Sequence, residues 1–138
     1  MVKRAMYGLL FLVIFASVAS SAEPSQDEGV RAAKGWLALV DAGKYDESWD
    51  ESGALFRRAV TKQQWNQALG SARTPLGAVK SRELETKSES SSLPGAPDGR
   101  YLVMQFRTSF ANKASAIETV TTILESDGRW RVVGYYIK

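Results

Sequence analysis

The hydrophobic period of this chain changes once, at Pro75, and that change limits the fold more than any other feature. Before Pro75 the apolar residues recur at helical spacing; after it they recur at every second position. Ser25 stands three residues before Glu28, a capping-box pattern that opens a helix. Val30, Ala33, Leu37 and Val40 then form one stripe flanked by Trp36. Glu28, Arg31, Lys34 and Asp41 make the wet side, and Gly43 is a natural stop. The stretch YDESWDESG predicts a short second helix buried through Trp49 and ended by Gly53. Thr61 and Gln64 make another capping-box pair, ahead of a third helix carrying Trp65, Ala68, Leu69 and Ala72, which Pro75 ends.

Beyond Pro75 the residues read as strands. Residues 78–88 alternate weakly and are mostly polar, the pattern of an edge strand, and SESSSLPGAPDG at 88–99 is a Pro/Gly-rich connection. Leu102, Met104, Phe106, Thr108 and Phe110 alternate with Tyr101, Val103, Gln105, Arg107 and Ser109. Residues 115–125 make a Thr- and Ile-rich strand, and Asp127-Gly128 turns it into a last strand over 129–137. Helices followed by meandering strands predict an α+β domain, with three N-terminal helices packed on one face of a curved four-stranded antiparallel sheet. No internal repeat is visible.

The first 22 residues stand apart. Lys3 and Arg4 precede an apolar stretch from Ala5 to Val18, and Ser20 and Ala22 fit the small-x-small rule. That layout predicts a signal peptide over 1–22 and a single domain over 23–138, periplasmic or secreted, with no stable membrane anchor after cleavage. An uncleaved anchor is the competing reading, but the apolar run is short of the roughly 20 residues that span a bilayer. Without Lys3 and Arg4 the chain keeps 16 basic residues against 15 acidic ones. No basic run tracks a phosphate backbone, so no nucleic-acid partner is expected.

The chain has neither cysteine nor histidine. The fold must therefore hold by packing alone, and the usual ligands of zinc, copper and haem are missing, as are Ser-His and Cys-His nucleophile pairs. No metal and no cofactor are expected. The carboxylates at Asp46, Glu47, Asp50 and Glu51 lack the glycine and alternating oxygens of a calcium loop.

Trp36, Trp49, Trp65 and Trp130 read as core, since a disulfide-free domain needs large rings to bury. A two-residue turn at Asp127-Gly128 would pair the last two strands so that partner numbers sum to 255; a three-residue turn would slip this by one. In both registers Trp130, Val132, Gly134 and Tyr136 share a face. Phe106, Tyr136 and Trp130 are the candidate ligand-binding residues, lining a cavity between helices and sheet. Val133, Tyr135 and Ile137 fall on the opposite face, which should be polar if it were wet. They are the candidate interface of a homodimer; cover by the loop 88–99 in a monomer is the competing account.

WLALVDAGKYDESWDESGALFRRAVTKQQW, RTPLG, LPGAPDGRYLVMQFRTSF and DGRWRVVGYYIK together resemble a bacterial secreted family, domain of unknown function 4019, over roughly residues 30–138. The order of elements is similar to the cone-shaped nuclear-transport-factor-2-like, or cystatin-like, superfold. The resemblance implies no catalytic residues, because that family has no assigned activity, and the superfold hosts both enzymes and binders. The expected function is an exported, non-catalytic small domain that binds a small apolar ligand or a protein partner and dimerises through its sheet. The alternative is a small acid–base isomerase-type enzyme, which needs a buried carboxylate beside a tyrosine. Glu118, Asp41 and Asp46 are the available carboxylates, and Glu118 facing a cavity near Tyr136 would favour that reading.

Overall fold

A computed structural model describes Ser17 and residues 23–138. The expected signal peptide at 1–22 lies outside the described residues, Ser17 excepted. Four helices, α1 (Gln26–Asp41), α2 (Tyr45–Asp50), α3 (Ala54–Ala59) and α4 (Lys62–Arg73), precede a 3₁₀ turn (Thr74–Leu76) and four strands. The strands β1 (Val79–Ser90), β2 (Tyr101–Phe110), β3 (Lys113–Leu124) and β4 (Trp130–Ile137) form one antiparallel, unclosed sheet in the order β1-β2-β3-β4. The domain is α+β. Among the described residues no helix is long and apolar enough to cross a membrane.

The caps act where the sequence places them. Ser25 Oγ accepts from the Glu28 amide, and Thr61 with Gln64 closes a complete reciprocal box. Gly43, with φ of 73°, follows α1 in the left-handed conformation that commonly ends helices. The expected count of three helices misses α3. Gly53 is its extended N-cap rather than the end of α2. The six-residue segment ALFRRA buries a single apolar side chain, Phe56, so it carries no periodic signal.

Two of the tryptophans donate to a buried serine. Trp36 Nε1 donates to the Ser48 carbonyl at 2.8 Å, and Trp65 Nε1 donates to Ser48 Oγ at 2.9 Å. Ser48 and Ser52 are fully buried, and each hydroxyl also donates to a backbone carbonyl. These bonds fix α2 between α1 and α4 without leaving polar groups stranded. Ser48, not Trp49, is the buried side chain of α2. Trp49 is half-buried and donates to the Val60 carbonyl. Trp130 is buried on the sheet, its ring against Gly29, where a Cβ would lie 3.3 Å from the indole and 2.8 Å from Leu102.

The last hairpin takes both expected registers in turn. Glu125 and Arg129 bond across a three-residue turn whose Gly128 has φ of 81°. Pairing starts at Leu124↔Trp130 and Thr122↔Val132, then shifts by one to Thr121↔Gly134, Val120↔Tyr135 and Thr119↔Tyr136. Val133 is the extra residue, and a bulge at this point reverses the facing of everything after it. Trp130 and Val132 therefore share the helix-covered face with Tyr135, not with Tyr136. The ring of Tyr135 packs edge-on to Trp36 at 5.1 Å and to Trp65 at 6.5 Å. Tyr136, at 58% exposure, stands on the outer face. The expectation that Tyr135 lies on the uncovered side is overturned; a bulge is backbone geometry that alternation does not encode.

The outer face is partly covered within the chain. The loop after β1 folds over it: Tyr101 is 1% exposed and its hydroxyl donates to the Pro97 carbonyl. The register can be tested by truncating the two adjacent tyrosines separately. Tyr135→Ala should lose about 3 kcal/mol of unfolding free energy, because it removes a half-buried ring packed on Trp36 and Trp65 and a hydrogen bond to the buried Glu118. Tyr136→Ala should change it by no more than about 0.5 kcal/mol. Urea denaturation of both variants reads the difference, and equal losses would contradict the bulge.

Candidate functional site

A carboxylate with no solvent exposure stands in the middle of the sheet. Glu118 shares the covered face of β3 with Ala116, Val120 and Thr122, opposite Phe106 on β2 and Ile137 on β4. Four donors converge on it. Arg82 Nε reaches Oε1 at 2.7 Å and its Nη2 reaches Oε2 at 3.2 Å; Thr108 Oγ1 donates to Oε1, and the Tyr135 hydroxyl donates to Oε2. Arg82 comes from β1 and continues outward to Asp41 at the end of α1, with bonds of 2.7 and 3.0 Å. Asp41 is also gripped by Arg73 Nη2 from the end of α4, at 2.8 Å. Two arginines and two carboxylates thus tie α1, α4, β1 and β3 together.

The electrostatics follow from this enclosure. Burial opposes ionisation of Asp41, but the bonds from Arg82 and Arg73 outweigh it and hold its carboxyl below the usual range. Burial likewise disfavours the Arg82 cation, and Asp41 and Glu118 more than restore it. For Tyr135, burial and the adjacent Glu118 both favour the neutral phenol and push its pKa well above the ordinary value. Arg73 is 6% exposed, and its guanidinium lies 5.0 Å from the Phe110 ring centre. Its Nε and Nη1 have no acceptor among the described residues.

Around Glu118 the network is chemically closed. Each oxygen of Glu118 already accepts two hydrogen bonds, which accounts for its lone pairs. The arrangement needed for acid–base work, a buried carboxylate beside a tyrosine, is present in Glu118 and Tyr135, but a substrate would have to displace a bonded donor to reach it. Breaking such a pair strands an uncompensated buried charge.

Two clefts open elsewhere. One, of about 320 Å³, lies between α1, α2 and the start of β4 and is lined by Trp36, Trp130 and Val132 with a charged rim. The other is a larger groove of about 610 Å³. Phe56 and Val60, with Trp65 and Ala68 of α4, form one wall; the loop residues Leu93–Pro97 and the bulge of β4 form the other. Its lining is mainly apolar, and Tyr135 links it to the Glu118 network.

Phe106, Trp130 and Tyr136, expected to line one cavity, are not brought together. Phe106 is enclosed in the core, Trp130 lines the smaller cleft, and Tyr136 is on the outer face. Val133, Tyr135 and Ile137 do not form an outer-face patch. Val133 sits at the bulge against Gly53, Tyr135 is under the helices, and Ile137 lies half-buried beside Glu118. Asp46 is bonded by Asn66 and Asp50 by Lys62. Among the described residues no group of three or more carboxylates is placed to hold a metal ion.

The profile of one family, described as Protein of unknown function (DUF4019), matches residues 32–135. The chain belongs to this family. Among curated proteins none matches the chain. The span shared with DUF4019 contains Asp41, Arg73, Arg82, Thr108, Glu118 and Tyr135, so the whole network lies in the DUF4019 domain.

Arg73 and Arg82 were not singled out by sequence reasoning. The available signals were spacing: Arg73 continues the Trp65–Leu69 row at i+4, and Glu118 interrupts an apolar alternation between Ala116 and Val120. The raised Tyr135 pKa gives a signed expectation. Below about pH 10, where a free phenol begins to ionise, both folded and unfolded states keep the proton and Tyr135 adds no pH dependence. Above it the unfolded chain releases the proton while the folded chain retains it, so stability falls as pH rises. Tyr135→Phe should flatten the alkaline limb of stability between about pH 10 and 12, as read by urea unfolding at stepped pH. An unchanged slope would show that Tyr135 ionises normally in the folded protein.

Proposed function

We propose that this DUF4019 domain is an exported, non-catalytic module that binds a small apolar ligand in the groove between α3, α4, the loop 93–97 and β4. The observation that carries this reading is the groove itself. Its volume of about 610 Å³ falls in the range of small-molecule sites, and its walls are apolar side chains and loop backbone. A site of this kind selects by shape and apolar area, and closing it around a ligand would remove Leu55, Val60 and Leu93 from water. The saturated Glu118 supports binding over acid–base turnover, because its hydrogen bonds hold the fold and would be lost to any substrate. We read the open sheet wrapped by helices as the cone-shaped cystatin-like arrangement, with the groove at its flank.

The test uses N-phenyl-1-naphthylamine, a neutral apolar fluorophore, titrated into the mature protein. Saturable enhancement is expected for wild type, and Ala59→Trp should weaken it at least tenfold. Ala59 is exposed on the groove wall, so the variant fills the site without disturbing the core. Equal binding by both proteins would place the probe elsewhere and refute the groove.

A second part of the proposal concerns assembly. Tyr136 is the one large hydrophobic side chain more than half exposed among the described residues, and it stands beside the buried Thr119 on the outer face. Pairing of two copies through this face would cover it, with Tyr136 in the place expected of Tyr135. Sedimentation at matched concentration should show a dimer for wild type and a folded monomer for Tyr136→Glu; a monomeric wild type rejects the pairing.

A further inference from the structure

The smaller cleft has a chemistry of its own. Its floor is apolar, made by Trp36, Leu39, Trp130 and Val132, and its rim carries Arg31, Arg129 and Arg131 together with Glu47 and Glu51. The domain pairs most of its arginines: Arg73, Arg82, Arg100, Arg107 and Arg131 are all in ion pairs, and Arg57 bonds a backbone carbonyl. Arg31 and Arg129, like Arg58 on α3, form no ion pair or side-chain hydrogen bond among the described residues. The same holds for Glu47 and Glu51. Two free cations and two free anions therefore border one apolar floor without neutralising one another.

One further feature keeps the cleft open. Gly35 lies on the α1 side of the cleft, and a Cβ built there would meet nothing within 4 Å. Glycine inside a helix is destabilising relative to alanine, so its presence at this wall costs stability while leaving the cleft open.

We infer that this cleft is a second binding site, separate from the apolar groove, for a small zwitterion with an apolar body, the chemistry of a free apolar amino acid. The carboxylate of such a ligand is matched by the guanidinium groups of Arg31 and Arg129, which suit planar, bidentate recognition. Its ammonium is matched by Glu47 and Glu51, and its side chain by the tryptophan floor. A volume of about 320 Å³ suits one small molecule.

The experiment is a nuclear magnetic resonance titration of the ¹⁵N-labelled mature protein with L-leucine and L-phenylalanine. Saturable shifts at the Trp36 and Trp130 indole N–H groups are expected, with none at Val60 or Leu93 of the groove. Isovalerate lacks the ammonium and isopentylamine lacks the carboxylate, and each should bind at least tenfold more weakly than L-leucine. Gly35→Leu projects a side chain into the cleft from a position free of clashes and should abolish the shifts while the rest of the spectrum stays folded. Arg129→Ala, at an exposed turn, should weaken binding at least tenfold. Absence of saturable shifts with both amino acids overturns the inference and leaves the rim a solvated surface. Equal binding of the singly charged analogues, or undiminished binding by Gly35→Leu, overturns it as well.

Discussion

A carboxylate without solvent exposure must be compensated, and the compensation of Glu118 organises this domain. An uncompensated charge in such a place costs several kcal/mol even after relaxation. Glu118 therefore requires Arg82 from β1, Thr108 from β2 and Tyr135 from β4 to stand where they do. Arg82 in turn requires Asp41, and Asp41 engages Arg73. Each partner sits on a different element, so the network sets the relative placement of α1, α4 and the sheet. Apolar packing alone tolerates small slides, whereas a chain of directional bonds does not.

The bulge at Val133 serves that network. Without an extra residue in β4, Tyr135 would point away from Glu118 and Tyr136 would take its place under the helices. The bulge also turns Val132 and Val133 toward α3, where the Gly53 amide donates to the Val132 carbonyl at 2.7 Å. A side chain at Gly53 would bring its Cβ within 2.6 Å of Val133, so close approach of α3 to β4 needs glycine there. One irregularity thus fixes the facing of the last strand, the seat of α3 and one wall of the larger groove.

Much of the fold was legible in the sequence because its signals are local. The stripe of α1, the box at Thr61, the loop after β1 and the alternation of β2 all appear where residue spacing places them. The misses share a cause. α3 is too short for a period to show, and the bulge inserts one residue without a mark in composition. Of the network, Glu118, Asp41 and Tyr135 attracted notice, but Arg73 and Arg82 gave no signal of their own. Nothing local distinguishes a buried arginine from an exposed one until its partners are known.

The sequence by itself determined the α+β class, the family and the absence of cysteine and histidine chemistry, since each follows from composition or short-range pattern. The tertiary structure decided which of two adjacent tyrosines is core, which carboxylate is buried, and which charged side chains pair. Those outcomes depend on residues tens of positions apart meeting at a few ångströms. Asp41 and Arg82 are 41 positions apart, yet they touch at 2.7 Å. Contacts of that range are set by packing and register together, and spacing along the chain does not encode them.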